Sequence, residues 1–309
     1  MKILTKEIKT QIKRAIAFYS LKFFCVILRI IPKSSVYSLA ELSAKIGFFI
    51  AVRHRRIAYE SLNIAFGNEK TKAEIKKIIK GCFTNMVRGM FEILAFSHEP
   101  HLLDKMVAVE ARGNLDKALT KGKGVIMVSG HFGNFPLVLT KLAIMGYKVN
   151  IVLRKMRDEK TDEYFNEKRT ALGVKSIYTQ PRSECVKNIF NVLRNNEIVF
   201  MLMDQNFGSG GVFVDFFGKK AATATGPVIF AMRAEAPIVP AFIFRKTDNT
   251  HQFIVEPEII LEQREDKNQM ILENVAEITA IIERYVRAYP TEWAWIHRRW
   301  KSRPQGEEF

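Results

Sequence analysis

From Met106 onward, short apolar runs alternate with helical periods. Val107–Ala111, Val125–Val128, Val149–Leu153, Ile198–Met203 and Ile238–Phe244 are apolar and rich in β-branched residues, which predicts buried strands. Between them, apolar spacing predicts helices near 113–121, 134–146, 159–172, 183–195 and 226–235. A late added strand is expected over 252–260 and a long helix over Met270–Ala288. Such alternation specifies an α/β fold with a mainly parallel central sheet flanked by helices.

Upstream the pattern is helical throughout. Val36–Phe66 reads as one helix, broken by Gly67 and Asn68. Thr71 with Glu74 forms a capping box for a helix through about Phe96. Cys82, Phe83, Met86, Met90, Phe91 and Leu94 give that helix an apolar face, expected to pack on the α/β core. Ala15–Ile31 is strongly apolar and closes at Pro32. It is short of the about 20 apolar residues that cross a bilayer, and Lys22 and Arg29 interrupt it. At about 100° per residue, Lys22, Arg29 and Lys33 share a stripe about 40° wide. One basic stripe on an apolar helix predicts a segment lying in the membrane interface over residues 1–34, with a buried core helix or a true span as alternatives. No repeat or low-complexity linker follows, so 35–309 is expected to form a single domain: a helical layer (35–105) on an α/β core (106–309).

Charge narrows the choice of partner. The net charge is +16 and the pI about 9.7, which favours an anionic partner such as nucleic acid, anionic lipid or an acidic carrier protein. Residues 1–56 hold twelve Lys and Arg against two acids, so the charge is polarised. Base-stacking aromatics are lacking around Arg53, Arg55 and Arg56, which speaks against nucleic acid. Cys25, Cys82 and Cys185 are far apart, which argues against a disulfide framework or zinc site and suits a reducing compartment.

Three stretches carry candidate chemistry. In Ser129-Gly130-His131-Phe132-Gly133-Asn134, His131 stands just past a strand's carboxyl end, where open α/β sheets bind ligands. Gly130 and Gly133 would let a substrate approach the backbone, and amides around Gly130–Asn134 would receive developing negative charge. Asp204 and Gln205 follow another strand end, beside a glycine loop (Gly208, Gly210, Gly211) and the aromatic residues Phe213, Phe216 and Phe217, expected to present apolar surface. The third is the tail, with Trp293, Trp295, His297, Arg298, Arg299 and Trp300. It suits a membrane headgroup zone, a phosphate grip or a lid over the core.

Together, the Ser-Gly-His-Phe-Gly-Asn motif, the Asp204-Gln205 block running to Gly226-Pro227, and the Trp-Ile-His-Arg-Arg-Trp tail resemble the bacterial lipid A biosynthesis acyltransferase family, within the wider lysophospholipid acyltransferase group. The resemblance covers nearly the whole chain. It implies a membrane-bound α/β enzyme at the cytoplasmic face of a bacterial inner membrane. This would move a fatty acyl chain from a thioester, on acyl carrier protein or coenzyme A, to a glycolipid hydroxyl, with lipid A precursors the favoured acceptor. His131 would be the general base, and Gly133, Asn134 and Gln205 would line the substrate site. Arg169 would match a family arginine gripping an anionic group, with Arg154 a second candidate. No metal or redox cofactor is implied, and a monomer is expected. One departure stands out: the family signature is His, four residues, then an acid, and here that place is Pro136. Residues 117–157 contain no Asp or Glu at all. Asp204, at what reads as a neighbouring strand end, is the expected substitute, and the resemblance implies the same, since some family members that acylate mannosylated lipids use an acid in this region. The alternatives are a catalytically impaired relative that binds lipid, or an acyltransferase for another glycolipid.

Overall fold

The computed structural model describes residues 2–306. Eleven helices are seen among them: α1 (Lys2–Ile30), α2 (Lys33–Ile50), α3 (Val52–Phe66), α4 (Lys72–Phe96), α5 (Pro100–Met106), α6 (Arg112–Leu119), α7 (Phe135–Ile144), α8 (Glu159–Ala171), α9 (Arg182–Arg194), α10 (Gly226–Ala234) and α11 (Lys267–Ala288). The nine strands are β1 (Val107–Glu110), β2 (Val125–Ser129), β3 (Val149–Leu153), β4 (Val174–Tyr178), β5 (Ile198–Leu202), β6 (Val212–Phe216), β7 (Lys219–Thr223), β8 (Ile238–Arg245) and β9 (His251–Val255). Seven of them form one sheet in the order β1-β9-β8-β2-β5-β3-β4, while β6 and β7 make a separate hairpin. Every pair in the large sheet is parallel except β8–β9. The α/β architecture with a mainly parallel sheet is therefore the one expected.

Side-chain alternation along β2 divides the interior. Val125 and Met127 enter the core shared with α5, α6 and α7, while Ile126 and Val128 enter the core shared with α9, α10 and α11. α4 joins both layers: Ile75, Ile78, Ile79 and Cys82 pack in one core, and Phe91, Leu94, Ala95 and Phe96 in the other. Its first turn is closed by the expected reciprocal Thr71–Glu74 capping box.

Four expectations change. Val36–Phe66 is two helices, because Ala51 leaves helical geometry (ψ 50°) and the axes bend by 85°. The bend lets α2 run along α4 while α3 turns to bury Ile57, Ala58 and Leu62. β4 was not expected, since Lys175 and Ser176 interrupt its apolar positions; it is the sheet's edge, with one face open to polar residues. The late strand stops at Val255, just before Glu256 and Pro257. Phe216 and Phe217 do not form a surface: both are buried, at the end and turn of the β6–β7 hairpin. Phe217 and Gly218 take φ values of 56° and 69°, the paired left-handed conformation of a tight hairpin. No single helix among the described residues is long and apolar enough to cross a bilayer.

Candidate active site

The site starts from strand register. Ser129 at the end of β2 pairs with Leu202 at the end of β5, so His131 and Asp204 leave adjacent strands at the same level. Asp204 Oδ1 lies 2.8 Å from His131 Nδ1, and Oδ2 accepts from the His131 amide at 2.7 Å and from Trp293 Nε1 at 2.7 Å. A side chain at Gly130 would place its Cβ 3.2 Å from the Asp204 carboxyl carbon, so the small residue keeps the two strand ends close.

The buried carboxylate can only accept, so the imidazole proton belongs on Nδ1 and the Nε2 lone pair faces outward. Gln205 Nε2 lies 3.2 Å from it, where a donor suits that tautomer. Burial works against the charge on Asp204, but His131, by charge and hydrogen bond, outweighs it and holds the carboxyl well below its usual range. Burial likewise opposes the imidazolium, yet Asp204 outweighs it and the His131 pKa rises above 6.5. A histidine held in one tautomer by a buried carboxylate, with its other nitrogen partly open, can take a proton from a hydroxyl.

The tail completes the site by closing over the core, rather than facing headgroups or gripping a phosphate. Trp293, Trp295, Arg299 and Trp300 are buried. The Ala294 amide donates to the His131 carbonyl (3.1 Å), and the Gly133 amide to the Glu292 carbonyl (2.8 Å). Arg299 spans the Gln205 and Ala222 carbonyls and the Thr223 hydroxyl, which anchors the chain after Asp204. His297 faces the Asp204 carbonyl with Nε2 (3.0 Å) and the Ala294 carbonyl with Nδ1 (2.8 Å).

Other expected site residues fall elsewhere. Gly133 (φ 55°) is approached by the protein itself: a Cβ there would meet the Ile243 carbonyl oxygen at 2.0 Å. The Asn134 side chain is buried, donating to Glu92 Oε2 (2.8 Å) and the Gly89 carbonyl (3.2 Å). The amides of His131, Phe132 and Gly133 are already spent on Asp204, the Gly130 carbonyl and the Glu292 carbonyl, so these three do not receive the developing charge expected of them. Arg169 donates to Ser176 on edge strand β4 and is not brought to His131. Arg154 is exposed just past β3, on the sheet's carboxyl edge. Pro136 takes the first turn of α7, where a missing N–H costs nothing.

Sequence reasoning missed the support beneath this loop. Glu92 is fully buried and binds Arg245 with both carboxylate oxygens, His251 Nε2 (3.1 Å), Asn134 and the Tyr37 hydroxyl (3.0 Å). Burial opposes its charge, but His251 and Arg245 hold its pKa below the usual glutamate range. The signal was there: a lone acid inside Met90-Phe91-Glu92-Ile93-Leu94. Trp293 as a donor to Asp204 left no comparable trace. Among the described residues, no three His, Cys, Asp or Glu side chains gather as a metal site would need.

A family model described as bacterial lipid A biosynthesis acyltransferase matches residues 4–302. The chain belongs to this family. It is accordingly an O-acyltransferase. Its relatives include the lipid A biosynthesis palmitoleoyltransferase of Escherichia coli (strain K12), 24% identical across 82% of this chain and 81% of its own length. The lauroyltransferase of the same organism is 22% identical across 89% and 88%. The phosphatidylinositol mannoside acyltransferase of Mycobacterium tuberculosis (strain ATCC 25618 / H37Rv) is 25% identical across 69% and 66%. A solved 1-acyl-sn-glycerophosphate acyltransferase from Thermotoga maritima aligns with 81% of this acyltransferase and 99% of its own chain, at 14% identity and a TM-score of 0.36.

Proposed function

We propose that this acyltransferase moves a fatty acyl chain from a thioester, on acyl carrier protein or coenzyme A, to a hydroxyl of a lipid A-like glycolipid. The observation that carries the reading is the His131–Asp204 pair with Nε2 turned outward. The acceptor hydroxyl gives its proton to Nε2 as its oxygen attacks the thioester carbonyl carbon. Asp204 keeps Nδ1–H in place and offsets the imidazolium charge. When the tetrahedral intermediate collapses, the C–S bond breaks and the imidazolium returns its proton to the leaving thiolate. The Gln205 side-chain amide borders the reacting position and supplies a donor there. The alternative of an impaired relative rests on the missing acid at Pro136, and Asp204 at 2.8 Å from His131 Nδ1 favours the active reading over it.

We further infer that the reaction takes place at the cytoplasmic face of an inner membrane. Ile8, Ile12, Ile16, Tyr19, Phe23, Val26 and Ile30 are all exposed on α1 and share a stripe about 80° wide. Lys22 and Arg29 lie along its edge, as suits anionic headgroups. The test is transfer of labelled acyl groups from acyl carrier protein and from acyl-coenzyme A to a panel of glycolipids and other lipids in detergent micelles. Transfer by the wild type that His131→Ala abolishes supports the reading. Undiminished transfer by His131→Ala overturns it. The acceptor consumed names the pathway.

A further inference from the structure

The elbow between α2 and α3 is built inside out. At about 100° per residue, Val36, Ala40 and Ala44 share the inner face of α2 and are buried, whereas Leu42, Ile46, Phe49 and Ile50 share the outer face and are exposed. A helix covering a water-soluble core does the reverse, turning its bulky apolar residues inward. At the tip, Phe49, Ile50 and Val52 are 72%, 76% and 61% exposed. The 85° bend makes them a projecting corner, since α3 turns back at once into the core. The corner is braced from below: Phe48 packs edge-on against Phe83 of α4, and the Arg55 guanidinium stacks over Phe48.

Charge around the tip is mostly basic, with Arg56 paired to Glu60 at 2.9 Å. Lys45, Arg53, Arg55 and Arg56 surround it, and residues 42–59 contain no Asp or Glu. An acidic protein would match the arginines but not three bulky apolar side chains standing free among them. An anionic bilayer matches both, taking the apolar tip below its headgroups and the arginines among them. The elbow also leads toward the site. On α4, Met86 and Met90 are exposed on either side of Gly89, whose carbonyl accepts from Asn134 beside His131.

We propose that the α2–α3 elbow is a wedge that inserts into an anionic lipid leaflet, separately from α1, and holds the mouth of the site against the membrane. This rests on the membrane-surface part of the proposed function. The three native cysteines are buried, so Ile50→Cys in the full chain can carry an environment-sensitive fluorophore, with Glu265→Cys as a control. Vesicles of phosphatidylglycerol and phosphatidylethanolamine should blue-shift the probe at position 50 and not at 265. Pure phosphatidylcholine should do so far less. Arg53→Gln with Arg56→Gln should weaken the anionic-vesicle response, by roughly fivefold per arginine. Phe49→Ser with Ile50→Ser should weaken sedimentation with those vesicles by at least about tenfold. No shift at position 50, a shift indifferent to lipid charge, or an equal shift from carrier protein without lipid would overturn the wedge. Acyl transfer in detergent is read on the same protein: transfer without a shift rejects only the wedge, and a shift without transfer rejects only the acyltransferase mechanism.

Discussion

Replacing Asp204 with asparagine changes one atom, and the surrounding hydrogen bonds dictate how the new side chain must sit. Oδ2 of the native carboxylate accepts from two N–H groups, the His131 amide and Trp293 Nε1, whereas Oδ1 meets only His131 Nδ1. The asparagine oxygen keeps two acceptances if it takes the Oδ2 place. In the reverse orientation its NH2 group confronts two donors. At about 1 kcal/mol for each net hydrogen bond, and more for each buried donor left unpaired, the first orientation wins by at least about 2 kcal/mol. The NH2 group then points at Nδ1, which must become the acceptor, so the imidazole proton moves to Nε2. The nitrogen that should receive the acceptor's proton is now blocked. The corresponding change in a serine-protease triad costs roughly 10⁴ in turnover, about 5 kcal/mol of barrier. A second signature runs the other way along the pH axis. The base works as neutral imidazole, so wild-type activity climbs as pH rises through a His131 pKa that Asp204 holds above 6.5. In Asp204→Asn the opposing effect of burial remains without that partner, and the limb moves to lower pH. Steady-state rates from pH 5 to 9 on a variant shown to be folded by circular dichroism measure both effects. Near-wild-type turnover with an unmoved limb would refute the reasoning.

Two further outcomes follow from buried charge. Glu92→Gln leaves Arg245 and His251 inside the protein without their carboxylate partner, a loss of roughly 3–5 kcal/mol that should lower Tm by roughly 5–8 °C; an unchanged melting curve would refute the pairing. Burial pushes Glu292 up from 4.5 to about 7, against the pull of Arg245. An acid with a raised folded pKa binds more protons when folded, so stability should fall as pH rises from 4.5 to about 7, by at most about 3 kcal/mol. Glu292→Gln should remove that slope in thermal unfolding at pH 5 and pH 8, and a slope that persists would place it on other groups.

What could be read from the chain follows from where each signal is stored. β2, β3, β5 and β8 are mostly apolar, broken only by Asn150 and by Ser129 and Arg245 at strand ends, so local pattern finds them. β4 is an edge strand with Lys175 and Ser176 along it, and edges do not need a continuous apolar run. The break at Ala51 is invisible to periodicity because both flanking segments are helical, and only the packing of α2 on α4 and of α3 in the core demands it. At the site, His131 and Asp204 are legible because both directly follow strands. That they meet depends on β2 and β5 being neighbours in register, which no local pattern states. Gly133 and Asn134 were legible as special positions but not in their purpose. The close approach comes from Ile243, and the buried amide serves Glu92, each far away in the chain.

The same register bears on why this chain dispenses with an acid at position 136. An imidazole has one Nδ1, and here it is already occupied by a carboxylate delivered from the next strand. A second acid on the first turn of α7 would have no imidazole nitrogen left to orient. It would also add a negative charge near Asp204, whose buried charge already depends on His131. Proline at that place instead presets the helical φ of α7 and gives up an N–H with no intrahelical partner. Pro136→Glu, which restores the family signature, should therefore bring no gain in turnover and at most a modest loss of stability, read by steady-state kinetics and thermal unfolding side by side. A rise of tenfold or more would mean that Asp204 does not orient the base. The site would then have been waiting for the residue it lacks.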